Sequence, residues 1–577
     1  MTRRLCSFIA SLQGHLAAVA VLALPLVAGC APVEPGDSPP RQMVAAANPL
    51  AAEAGMAMLR QGGSAVDAAI ATALVLGLVE PQSSGIGGGA FLLHYDADDR
   101  DVVAYDGRET APGSADEGLF LKADGEPMAF WDAVVGGRSV GAPGLLRMLE
   151  LAHRDHGKLP WPALFQPAIR LAEQGFAVSP RLHELIAGDQ YLKRYPATAA
   201  YFHDAAGNPL PVGTLLKNQA YADTLKAVAA GGADAFYRGP VAVDIVEAVR
   251  SATDNPGLLS YTDLRGYQAK RRTPVCLPYR IWVVCGMPPP TSGGVAVLQI
   301  LKLLEPFDLA ALQPASPQAI HLVAEASRLA FADRNRFLAD SDFVDVPVGA
   351  LLDPAYLASR SALIDPAASM GEASPGLLSQ HAMAPFQLNP PSTSHLSVVD
   401  AEGNAVSMTA SVESAFGARL MARGFILNNE LTDFSFRPAA DGLAVANRVQ
   451  PGKRPRSSMS PTLVLDRDGR FVMAIGSPGG SRIIGYTAKA VIAALDWNLS
   501  MQQAVALPNF VNRNGATDLE EGTSVVDAKA ALEALGHEVN VIGMTSGLHG
   551  IRRLSGNGGA GLEGGADPRR EGVALGE

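Results

Sequence analysis

A threonine at the head of an alternating strand pattern becomes a nucleophile if the chain breaks in front of it. The octapeptide Thr393-Ser394-His395-Leu396-Ser397-Val398-Val399-Asp400 has this form. A cut before Thr393 would free an α-amino group, whose ordinary pKa of about 7.7–8 leaves a useful neutral fraction near neutral pH. That amine can serve as the base for the Thr hydroxyl, so no separate His or Asp is needed. Two later segments hold groups that such a nucleophile could use: Arg454-Pro455-Arg456-Ser457-Ser458-Met459-Ser460-Pro461-Thr462 and Gly476-Ser477-Pro478-Gly479-Gly480-Ser481-Arg482. Each segment alone is also an ordinary turn, where Thr, Ser and Gly abound. Their combination carries the argument.

The elements that must position these residues change character along the chain. Residues 49–80 read as two helical stretches joined by Gly62-Gly63-Ser64, the second apolar almost all round and therefore buried. Gly85-Ile86-Gly87-Gly88-Gly89 precedes the strand pattern Ala90 to Tyr95. A nucleotide-binding loop would instead link a strand to a following helix, so that chemistry is excluded. Helical patterns dominate residues 145–345, with Gln318 to Asp340 the clearest amphipathic run. From Thr393 onward short strands take over, near Leu396, Ala405, Phe425, Thr462 and Phe471, and helices return at 483–494 and 528–535. Facing strands with helices outside predict an α+β layered sandwich. The change of character falls at Ser392–Thr393, after Pro390-Pro391, where an internal cut would have to lie.

At 577 residues the chain suits one large or two moderate folded units, and its net charge is −11. With no Lys/Arg stripe, nucleic acid is excluded as a partner. Arg3 and Arg4 followed by the apolar Leu16 to Gly29 form an export signal, too short to span a bilayer comfortably. Val27-Ala28-Gly29-Cys30 resembles the bacterial lipobox, in which the Cys is acylated. The alternative is a plain signal peptide cut nearby. A signal at 1–29, a Pro-rich tether at 30–41 and lipidation at Cys30 are expected, on the periplasmic side; Ala31 favours the outer membrane. Only Cys276 and Cys285 remain beyond this leader, flanking a potential hairpin, and their pairing stays open. No HExxH or CxxC pattern occurs, so neither metal nor other cofactor is expected.

Further segments join these in one order: Asp67-Ala68-Ala69, Gly87-Gly88-Gly89, Asp106-Gly107-Arg108-Glu109-Thr110-Ala111-Pro112, Pro288 to Gly294 (PPPTSGG), Ala330-Phe331-Ala332-Asp333-Arg334, and Asn428-Asn429-Glu430-Leu431-Thr432-Asp433-Phe434. With them the chain resembles the γ-glutamyltranspeptidases, a family of N-terminal-nucleophile hydrolases, over nearly everything after the tether. The resemblance implies a four-layer αββα sandwich and self-cleavage at Ser392–Thr393, giving a large chain 42–392 and a small chain 393–577 that stay together as a heterodimer. It implies Thr393 as the nucleophile attacking a γ-glutamyl carbonyl, Ser411 as its supporting hydroxyl, and Gly479 and Gly480 as the oxyanion hole. Arg108, Ser457 and Ser458 match positions that hold the substrate α-carboxylate; Glu430 and Asp433 match those that hold its α-ammonium. The partners implied are glutathione-like γ-glutamyl compounds and amino acid or peptide acceptors.

Three departures qualify the resemblance. The family often has Thr where this chain has Ser411. Many members have Asn where this chain has Glu413, which adds negative charge beside the donor site. Phe434 to Arg456 is shorter than in lid-bearing members and lacks Tyr, which implies an open site that admits water and favours hydrolysis. Two rivals remain: a cephalosporin- or glutaryl-type acylase on the same scaffold, and an inactive binding lipoprotein.

Overall fold

A computed structural model describes residues 40–378, 382–383, 392–554 and 561–577. The expected signal segment, Cys30 and Ala31, nearly all of the tether, and Pro390-Pro391 lie outside the described residues. Among the described residues no helix is long and apolar enough to cross a membrane.

Strands β1 (Met43–Ala46), β2 (Gly89–Asp96), β3 (Asp101–Gly107) and β4 (Lys270–Arg272) belong to one sheet. Strands β5 (Val275–Tyr279) and β6 (Trp282–Gly286) open a second. The chain returns to the first sheet with β7 (Ser394–Val399) and β8 (Ala405–Ser411), then to the second with β9 (Thr462–Leu465), β10 (Phe471–Gly476), β11 (His549–Leu554) and β12 (Gly561–Ala566). Strand β13 (Val573–Gly576) closes on the first. The seven-stranded order is β13-β1-β7-β8-β2-β3-β4 and the six-stranded order β12-β11-β10-β9-β6-β5. All pairings within them are antiparallel.

Side-chain alternation sorts the core. On the first sheet Val44, Ala46, Leu92, Leu396, Val398, Val406 and Met408 pack against helices α1 (Pro49–Arg60) and α2 (Ala65–Val79). Met43, Ala45, Phe91, Leu93 and Val399 point the other way, against Cys285, Leu463, Ala474 and Ile551 of the second sheet. The far face of that sheet, with Val284, Val464, Met473 and Ile475, packs on α3 (Gly293–Leu304), α4 (Pro317–Phe337) and α5 (Ile483–Leu495). Every residue of α2 is buried, and a capping box between Ser64 and Asp67 starts it.

The interval between the sheets is not purely apolar. Ser397 Oγ donates to His549 O at 3.2 Å and Ser407 Oγ to Ile475 O at 3.1 Å. These hydroxyls tie the central strands of one sheet to the backbone of the other, which explains why β7 and β8 are buried on both faces yet carry Ser and Thr.

The region of helical patterns also supplies the edge strands β4 and β5 and the next strand in, β6. Arg271 and Arg272 sit on β4. Arg272 is partly buried and paired with Asp106 at 2.7 Å, so it braces β3 as well as ending a strand. Cys276 and Cys285 stand opposite each other in the β5–β6 hairpin and are joined, with Cα atoms 4.1 Å apart.

Candidate active site

Thr393 immediately precedes β7 and Ser411 ends β8, so antiparallel pairing brings them side by side. Their hydroxyl oxygens are 3.2 Å apart. Ser411 Oγ also accepts from Glu413 N at 2.8 Å, which orients it. Thr393 has φ +111°, a conformation that a β-branched residue adopts only under constraint. Gly88 explains part of the glycine motif: a Cβ there would lie 2.0 Å from Ser411 O, so only Gly lets that loop support the end of β8.

Thr393, Ser411, Glu413, Glu430, Asp433, Arg108, Ser457, Ser458 and Gly480 line one cleft, with Met459 and Ile483. Gly479 is adjacent in sequence but does not line it. Its φ is +137°, and a Cβ would meet the Tyr486 ring at 2.6 Å, so both backbone and packing require Gly. Gly480 begins the single turn that leads into α5, whose partial positive N-terminal end faces this side. Ser392 is buried just outside the cleft, with Oγ donating to Gln82 O at 2.6 Å. Cys276 and Cys285, on β5 and β6 of the second sheet, do not line the cleft.

Arg108 is 1% exposed and anchors the charge pattern. Its Nη1 donates to Glu430 Oε2 at 2.5 Å, its Nη2 to Asp433, and its Nε to Pro455 O at 3.1 Å. Glu109 adds a third carboxylate, 3.7 Å from Nη1. Several buried acids around one guanidinium cannot all ionise cheaply. Burial, then Asp433 and Glu430, pushes Glu413 up to about 8. Burial pushes Glu430 up to about 7, with Arg108 opposing and Asp433 adding to the shift. Burial and the Glu430 charge raise Glu109 as well.

Other side chains fix this set, and sequence reasoning gave them no role. Arg334 lies beneath the serine pair, donating to Ser292 Oγ at 2.9 Å and to Ser458 Oγ at 2.7 Å. Ser292, from the PPPTSGG motif, donates from N and Oγ to Ser457 O at 2.8 and 2.7 Å. Asn428 accepts from Gly141 N and Glu430 N, and donates to Gly87 O and Gly141 O. Asn429 donates to Glu413 Oε2 at 2.6 Å. The motifs containing these residues were visible; which of their side chains turn inward was not. Arg570 left no comparable signal, yet its Nη1 donates to Thr393 O at 2.8 Å.

The cleft is narrow. Its room is about 20 Å³, little more than one water needs. The stretch after Phe434 forms a small hairpin, Ala439–Ala440 with Leu443–Ala444, and no longer arm. The arrangement offers a hydroxyl nucleophile, a neighbouring hydroxyl, glycine N–H groups at a helix start, a guanidinium and several carboxylates. That set suits acyl transfer from a zwitterionic amino-acid donor.

Comparison with known proteins agrees with this chemistry. The γ-glutamyltranspeptidase family profile matches residues 51–577. The chain is 35% identical over 584 residues to a glutathione hydrolase proenzyme of Bacillus subtilis (strain 168), covering 96% of this chain and 97% of that protein. It is 38% identical over 509 residues to the acylase ACY 1 proenzyme of Pseudomonas sp. (strain SE83), covering 86% and 87%. A cephalosporin acylase structure from Bacillus halodurans superposes with a TM-score of 0.79 at 27% identity, covering 96% of this chain and 99% of that one. The chain belongs to the γ-glutamyltranspeptidase family.

Proposed function

We propose that this protein is a self-processing γ-glutamyltransferase and glutathione hydrolase. The observation that carries the reading is the meeting of Thr393, Arg108, Glu430 and Asp433 in one buried cleft. A γ-glutamyl donor carries a carboxylate and an ammonium on one carbon. Arg108 with Ser457 and Ser458 suits the first, and Glu430 and Asp433 suit the second. Arg108 pairs with Glu430 and Asp433, so donor binding replaces these internal pairs with pairs to the substrate.

Thr393 Oγ1 attacks the γ-carbonyl carbon, its proton passing to the free α-amine. The oxyanion is met by backbone N–H groups at Gly479–Gly480, and such a donor is worth on the order of 3 kcal/mol. The C–N bond breaks as the leaving amine takes the proton. Water or an acceptor amine then resolves the γ-glutamyl ester by the same steps in reverse. No bound metal or cofactor is invoked.

The finer organisation belongs to the same proposal. The two sheets and their helices make a four-layer αββα unit of the N-terminal-nucleophile type. Cleavage at Ser392–Thr393 leaves chains 42–392 and 393–577 interleaved as a heterodimer. Cys30 carries the lipid, anchoring the enzyme on the periplasmic side of the outer membrane, where small γ-glutamyl compounds and peptide acceptors reach it. The short hairpin after Phe434 leaves the cut enzyme without a lid and favours hydrolysis.

An acylase is the second reading, supported by the acylase among the relatives. Glutaryl donors lack the α-ammonium, and would leave more carboxylates around Arg108 than such a donor needs; this weighs against it. The test is intact-mass analysis of purified protein alongside glutathione turnover. Two chains, one beginning at Thr393, with glutathione hydrolysed and Thr393→Ala uncut and inert, are expected. An uncut wild-type chain that still hydrolyses glutathione would overturn the proposal.

A further inference from the structure

Behind the nucleophile lies a second polar cluster that the acyl-transfer chemistry leaves unused. Glu80 follows the last turn of α2 and is 1% exposed, yet neither carboxylate oxygen has a hydrogen-bond partner. The Gln82 amide, Arg181 Nε, Arg570 Nη2 and Glu571 Oε2 are unpartnered in the same way. Arg181 Nε lies 3.8 Å from Glu80 Oε1, and Arg181 N donates at 2.9 Å to Oε1 of Glu571, the neighbour of Arg570. Buried polar groups in folded proteins are nearly always satisfied. Several orphans of complementary type in one place make a buried polar cluster that enclosed water would complete.

This cluster touches the scissile region at two points. Arg570 Nη1 donates to Thr393 O at 2.8 Å, and the backbone carbonyl of Gln82 accepts from Ser392 Oγ at 2.6 Å. Arg570 is clamped from other sides too. Its Nε donates to Ser546 O at 3.0 Å, and a Cβ on Gly547 would lie 2.7 Å from its Cδ. The strained φ of +111° at Thr393 is thus flanked by a buried guanidinium that holds its carbonyl oxygen.

We propose that Glu80 is a positioning residue for self-cleavage: through enclosed water it anchors Arg570, which holds the Thr393 carbonyl so that the Ser392 carbonyl carbon faces Thr393 Oγ1. The inference rests on the self-processing reading. In the step it serves, an Oγ1–C bond forms at Ser392 while the C–N bond to Thr393 breaks. The hydroxyl proton passes to the departing nitrogen, which becomes the free amine. Water then hydrolyses the ester, leaving a Ser392 carboxylate and restoring the Thr393 hydroxyl. Once the peptide is cut, nothing forces the strained dihedral, so the product is relieved and the precursor is not.

The experiment follows disappearance of the full chain in Glu80→Gln and its parent, then measures turnover of a γ-glutamyl anilide per mole of N-terminal threonine. Cleavage slowed about tenfold or more, with turnover per cut chain within about twofold of the parent, is expected. Cleavage at the parent rate overturns the proposal, as does turnover per cut chain that falls as far as cleavage does. Should Glu80→Gln not fold, Arg181→Gln decides, because it leaves Glu80 facing Arg570. Cleavage within about threefold of the parent supports the pairing, and a loss of about tenfold shows general packing and overturns it. A parent chain that never splits would instead sink the self-processing reading, and this proposal with it.

Discussion

At the scale of single residues, the site turns on how several carboxyls share one guanidinium. Glu430 is pushed up to about 7 and Glu413 up to about 8, so both hold protons well above ordinary carboxyl values. A substrate ammonium needs them ionised, so KM for a γ-glutamyl donor is expected to fall as pH rises from about 6 to 8.5. Glu413→Gln should flatten the upper part of that profile, and a profile unchanged by the substitution would contradict the assignment. The same shift sets stability. Between the unfolded value near 4.5 and the folded value near 8, the folded state binds the extra proton, so the Glu413 contribution weakens as pH rises. Glu413→Gln should therefore gain melting temperature relative to the parent at pH near 8.5 compared with pH near 6, measured by calorimetry. Arg334 acts one layer back. Arg334→Met frees Ser458 and Ser292 from their shared donor, and a KM increase of about tenfold with smaller change in kcat is expected from steady-state kinetics.

At the scale of elements, loops with fixed backbone contacts hold the cleft together. Asn428 joins the Gly87 loop, the Gly141 loop and the turn bearing Glu430 through four hydrogen bonds. Asn428→Ala strands those buried backbone groups and should cost about 3 kcal/mol in chemical denaturation, with activity falling alongside. A loss below about 0.5 kcal/mol would mean that water replaces the side chain. Much of this layer was legible in the sequence. The helix pair split at Gly62-Gly63-Ser64 and the strands at Leu396, Thr462 and Phe471 announce themselves by period and punctuation. Strands β4, β5 and β6 did not, because they are short and sit within a long helical stretch. The line-up of Arg108, Glu430 and Asp433 was legible only through motif order. The contacts of Arg334 and Arg570 depend on long-range packing that no local pattern encodes. The narrowness of the cleft, across which Arg108 pairs with Glu430 and Asp433, was equally hidden, since it too depends on long-range packing.

At the scale of the whole molecule, both sheets mix strands from either side of Ser392–Thr393. β1 pairs with β7 and with β13, and β6 pairs with β9. A cut at that peptide therefore leaves each of the two main sheets built from both parts. The processed protein is expected to elute as one species near the mass of the whole, and to separate into two chains only in denaturant. Chains that part under native conditions would contradict the interleaved arrangement. The most direct test of the central claim compares chromophore release from γ-glutamyl and glutaryl anilides by the processed enzyme, with Thr393→Ala as the blank. Strong preference for the γ-glutamyl compound, lost in Thr393→Ala and narrowed when Asp433 is changed to Asn, is the expected result. Equal or better turnover of the glutaryl compound would contradict it, because Glu430 and Asp433 would then have no ammonium to bind.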